Sequence, residues 1–119
     1  MDSSQKTFLA HLEEREKDIT QRAARFREEG RADESVFENI RLNIYEIFTT
    51  VFGVAEKNCG GDRAALRDFF LQKMEQIPEN WKLSFEKAKE HGDAKKMHIE
   101  GIKLETAQEI RNIFEEDIM

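Results

Sequence analysis

A chain of 119 residues can bury one core but is too short for two ordinary domains. Hydrophobic residues at 39% and charged residues at 37%, both signs interspersed, suit amphipathic helices with solvated outer faces and exclude a disordered chain. A formal charge of −6 argues against non-specific contact with nucleic acid or an anionic membrane.

In chain order the punctuation marks four helices. Ser3 or Ser4 can cap the first, which ends at Glu28–Gly30. The second begins around Asp33–Ser35, where Ser35 and Glu38 have the spacing of a capping box, and it runs to the "NCGG" stretch around Cys59. Asp62 caps the third, which reaches Gly92, and Asp93 caps the fourth, which runs nearly to Met119. Glycine just past a helix end suits a left-handed C-terminal cap. No stretch shows sustained alternation of β-branched residues, so no strand is expected.

The second half of the chain matches the first. Residues 6–52 laid on 68–114 without a gap give ten identities over 47 positions, where composition alone gives roughly three or four. Gly30 falls on Gly92, Phe8 on Phe70 and Phe52 on Phe114. The expected fold is therefore all-α, an antiparallel four-helix bundle made by internal duplication of a helical hairpin. Residues 1–119 form a single domain, with hairpin one at about 4–58 and hairpin two at about 62–118. In this register Pro78, the only proline, falls opposite Glu16 in mid-helix. Proline removes a backbone donor and clashes with the preceding turn, so the third helix is expected to kink there without ending the domain.

The second and fourth helices carry more apolar surface than one core-facing stripe requires. On the second, Leu42, Tyr45, Thr49 and Phe52 form a seam beside the main arc; on the fourth, Leu104, Ala107 and Phe114 match it. Leu42, Tyr45, Phe52, Leu104, Ala107 and Phe114 are accordingly the expected interface of a homodimer, or of a contact with another protein.

Nothing in the sequence marks catalysis. A di-metal bundle needs Glu three residues before each ligating histidine, and His11, His91 and His98 are preceded at that spacing by Phe8, Ala88 and Lys95. No metal and no cofactor are expected. The arginines at 15, 22, 25, 27 and 31 are interleaved with acids, the pattern of a mixed-charge face and not of a nucleic-acid surface. No apolar run is long enough for a membrane span, and the start "MDSSQKTFLAH" lacks a signal peptide's apolar core. Cys59 is the only cysteine, which leaves no internal disulfide and makes the cytoplasm the simplest compartment. The pattern points to a non-catalytic protein-interaction or oligomerisation module. The alternative is a small-molecule binder with an apolar pocket between helices, opened by the kink at Pro78.

Overall fold

A computed structural model describes residues 2–59 and 61–119. The fold is all-α, a four-helix bundle whose third arm is divided: α1 (Ser3–Glu28), α2 (Ala32–Cys59), α3 (Arg63–Gln76), α4 (Glu79–Glu90) and α5 (Ala94–Ile118). Among the described residues there is no strand, and no helix is long and apolar enough to cross a membrane.

The helix ends follow from local chemistry. Asp2, one residue before the expected cap, accepts the Gln5 amide at 2.8 Å while the Gln5 side chain returns to the Asp2 amide, so two otherwise unpaired donors are satisfied together. Asp62 and Asp93 cap α3 and α5 through the amides of Ala65 and Lys96, as their sequence positions predict. Ser35 does not form the expected capping box. α2 already starts at Ala32, and the buried Ser35 hydroxyl donates to the Ala23 carbonyl at 2.9 Å, which pins α2 to α1. Gly30 (φ 75°) and Gly92 (φ 66°) close α1 and α4 in the left-handed region. Both turns carry the same pair of bonds, Arg31 N–H to Phe26 O with Gly30 N–H to Arg27 O, and Asp93 N–H to Ala88 O with Gly92 N–H to Lys89 O. Gly60, the first of the expected glycine pair, lies outside the described residues.

At Pro78 the helix is interrupted for two residues without leaving the right-handed region, Ile77 at φ −63°, ψ −45° and Pro78 at φ −71°, ψ −8°. The proline has no N–H to offer the preceding turn, and Glu79 restarts the helix. The interruption has a packing consequence. α3 leans on α2, whereas α4 leans on α5.

Partners along α1 and α2 step away from the Gly30 turn on both sides: Ala23 with Ser35, Arg22 with Glu38, Glu16 with Thr49. Around the Gly92 turn the Phe85 ring lies against Gly101, and beyond the Pro78 interruption Glu75 still meets Arg111. α2 and α5 also lie against each other along much of their length. The body measures 45 × 35 × 20 Å, about two helix diameters in its thin direction.

Four phenylalanines fill the centre, each with no exposed surface. Phe8 and Phe52 stand 4.9 Å apart between ring centroids, and Phe70 and Phe114 stand 4.5 Å apart. The cross pairs Phe8–Phe114 and Phe52–Phe70 measure 5.3 and 5.7 Å. The sequence register lays Phe8 on Phe70 and Phe52 on Phe114, so exchanging the two halves returns nearly the same set of distances. Most of these contacts are edge-to-face, the arrangement the ring quadrupole favours.

The expected interface seam is corrected by this packing. Tyr45, Phe52, Ala107 and Phe114 are all buried within the chain, and Leu42 and Leu104 are half-buried. The reason is the contact between α2 and α5. Two helices that each touch several neighbours need broader apolar arcs than a helix facing one core, and the surplus is used internally. Thr49, from the same seam, turns to α1 and donates to Glu16 at 3.0 Å.

Candidate functional site

The interruption at Pro78 leaves a groove of about 590 Å³ between α2 and the α3–α4 junction. Thr50, Val51 and Val54 form one wall; Phe69, Lys73, Gln76, Ile77, Asn80 and Trp81 form the other. These positions recur at helical spacing, so each wall is one face of a helix. Val51, Phe69, Ile77 and the chain's single tryptophan, Trp81, are half-buried against the core, while Val54 is 42% exposed. Lys73 is the only charged residue in the lining. Its ammonium sits over the Phe69 ring, 5.5 Å from the centroid, and among the described residues it forms no salt bridge.

A second hollow, of about 320 Å³, is lined by His11, Glu14, Arg15 and Asp18 of α1 with Ile113 and Glu116 of α5. In the register that pairs the two halves, these six correspond to Lys73, Gln76, Ile77, Asn80, Val51 and Val54, every one of them in the groove. The sequence register thus pairs the two linings, yet one is charged and the other largely apolar. Two residues of the charged hollow bond to acids outside its lining, His11 to Asp117 at 2.6 Å and Arg15 to Glu109 at 3.4 Å.

A third hollow, between α1, α2 and α5, holds Arg15, Arg22, Arg41, Glu38, Glu105 and Glu109 around Tyr45. Arg22 and Arg41 both reach Glu38, at 3.3 and 3.6 Å. Of the early arginines, Arg15, Arg22 and Arg31 pair with acids, and among the described residues Arg25 and Arg27 form no salt bridge. The Tyr45 hydroxyl is buried and, among the described residues, has no hydrogen-bond partner. Burial, and next the negative charge of Glu109, push its pKa well above the ordinary phenol value, so it stays a neutral donor. Glu100 shows a related imbalance: Lys103 holds one of its oxygens at 3.2 Å and the other is buried without a partner. Its counterpart in the first half, Glu38, has two arginines. Ser84 stands where the register would put the second one, Arg22.

The histidines do not converge. His11 pairs with Asp117, His91 sits at the C-terminal end of α4, and His98 lies edge-on to Phe37 with ring centroids 4.5 Å apart. Among the described residues no three His, Cys, Asp or Glu side chains stand together as a metal cage. Cys59 is half-buried against the core.

The sequence placed its named site residues on the α2 and α5 seam; for the alternative, an apolar pocket opened at Pro78, it named no lining residue. A signal was present in the register, where Arg15, Asp18 and Glu116 are matched by Ile77, Asn80 and Val54. Which of these residues share a surface only the packing reveals. In comparison with known proteins, no family model, no curated protein and no solved structure matches this chain.

Proposed function

We propose that the protein is a non-catalytic binding module whose working surface is the groove at the α3–α4 junction, and that the groove takes the apolar body of a small ligand. One observation carries the proposal: the contrast between the two matching surfaces. The charged hollow of His11, Arg15, Asp18 and Glu116 has polar side chains at nearly every lining position, so this part of the bundle needs few apolar ones. Ile77, at the place of Arg15, packs in part on the core, but Val54, at the place of Glu116, is 42% exposed and is apolar surface that folding alone does not require. Exposed apolar surface has a cost in solubility, and a bound apolar group offsets it. The volume lies in the range of small-molecule sites, which are apolar with a few placed polar groups. Thr50, Lys73, Gln76 and Asn80 supply such groups.

Interaction through the Leu42–Phe52 and Leu104–Phe114 seam loses its support, because that surface is spent inside the chain. The register also supports descent of the two hairpins from one by duplication, with the groove as the place where the halves diverged in use.

Photo-crosslinking tests the proposal. A benzophenone side chain is placed at Val54, and in a second variant at Glu116, and each protein is irradiated in native lysate. The expected result is a small-molecule mass adduct at position 54 and none at 116. Equal labelling at both positions, or at neither, would refute the groove as a binding surface. A polypeptide adduct at position 54 would overturn the small-ligand reading in favour of a partner protein.

A further inference from the structure

We infer that the occupant of the groove is a single-chain amphiphile with an anionic head, its tail against Val51, Val54, Phe69, Ile77 and Trp81 and its head at Lys73. The inference rests on the binding role proposed above and adds the chemistry of the ligand. Its basis is charge complementarity. Lys73 is the one ionic group among the lining residues, and no carboxylate pairs with it among the described residues. What sets Lys73 apart from the other lysines without a salt bridge is its place among the apolar side chains of the groove.

The geometry of Lys73 adds to this. Its ammonium lies on the face of Phe69, which fixes the cation at the apolar wall while leaving its other sides free for an anion. The remaining polar groups, Thr50, Gln76 and Asn80, are neutral, so nothing in the lining repels a negative head. At the matching place in the other half stands His11, whose ring is already occupied by Asp117 at 2.6 Å. The groove therefore differs from its counterpart in two respects at once. It has apolar walls, and where the counterpart holds a histidine already bonded to Asp117 it holds a lysine without a salt bridge among the described residues. A ligand with an apolar tail and one negative head satisfies both. A cationic amphiphile would place like charges together, and an uncharged one would leave Lys73 unused.

Trp81 is the only tryptophan and lines the groove, so its fluorescence reports occupancy directly. The protein is titrated with dodecanoate, dodecanol and dodecyltrimethylammonium below their micellar concentrations. Dodecanoate is expected to bind tightest, by about threefold to fivefold over dodecanol, the scale of a partly exposed ion pair, with the ammonium weakest. Lys73→Glu is expected to reverse the order of the two ions and leave dodecanol nearly unchanged. Val54→Glu, at an exposed position, is expected to weaken all three, and Glu116→Val in the charged hollow none. Circular dichroism on each variant establishes that it is folded. Equal binding of dodecanoate and dodecanol, with no reversal by Lys73→Glu, would overturn the anionic head while keeping an apolar groove. Absence of binding by every probe, or binding indifferent to Val54→Glu, would overturn the groove itself. Sedimentation run in parallel covers the other occupant: a wild-type dimer that Val54→Glu dissociates would identify a second copy of the chain and refute the amphiphile.

Discussion

Replacing Phe70 by alanine removes a ring with no exposed surface, from the residue that touches the most other rings in the core. Its centroid lies 4.5 Å from Phe114, 5.6 Å from Phe8, 5.7 Å from Phe52 and 6.2 Å from Phe48. Four rings contributed by three other helices cannot all move to fill the gap, so the transfer loss and the cavity loss add. Large aromatic deletions of this kind cost about 3–5 kcal/mol. At about 2.1 cal/mol/K of unfolding entropy per residue, 119 residues give roughly 0.25 kcal/mol/K, so a loss of about 4 kcal/mol lowers Tm by about 16 °C. Phe8→Ala is expected to match it within about 1 kcal/mol, because Phe8 has the corresponding neighbours at 4.9, 5.3 and 5.6 Å. Urea unfolding and thermal melts followed by far-ultraviolet circular dichroism measure both. A loss for either variant well below the range for a buried aromatic, no larger than that of an ordinary surface substitution, would refute the shared four-ring centre. So would a clear inequality between the two variants, beyond the spread expected for equivalent sites.

The two glycine turns should respond alike. Gly30→Ala and Gly92→Ala meet nothing within 4 Å, so each is expected to lose only the conformational cost of a left-handed alanine, about 1 kcal/mol by urea unfolding. By the register that lays Ser84 on Arg22 and Glu100 on Glu38, Ser84→Arg is expected to aim a guanidinium at the buried, unpartnered oxygen of Glu100 and to gain about 1 kcal/mol in the same assay; a loss would show that the Arg22–Glu38 geometry is not reproduced there. For Tyr45 the folded pKa is raised, so the unfolded chain ionises first, near the ordinary value of 10.0, and stability is expected to fall as pH rises above that value. Tyr45→Phe removes a hydroxyl without a partner; it is expected to be neutral or slightly stabilising at neutral pH and to flatten the alkaline limb of a stability–pH profile.

Much of the backbone plan was legible in the sequence because it is local. Asp62 and Asp93 cap the helices that follow them, and Gly30 and Gly92 close the helices that precede them, since a cap or a left-handed turn depends on a few consecutive residues. The interruption at Pro78 is local for the same reason, a missing N–H and a ring that crowds the turn before it. Ser35 is the local exception: its position at a helix start suggested a capping box, but a carbonyl on the neighbouring helix took its hydroxyl. The seam of Tyr45, Phe52, Ala107 and Phe114 was legible as apolar, but sequence cannot say whether an apolar stripe meets its own chain or another. That is decided by how many neighbours a helix has, and α2 and α5 have each other as well as their flanking helices. The groove lies furthest from the sequence. Its walls come from residues 50–54 and 69–81, brought together because the third arm shifts its weight from α2 to α5 as it passes Pro78. Helical periodicity fixed which side chains share a face; only the crossing of separate helices fixed which faces leave room between them.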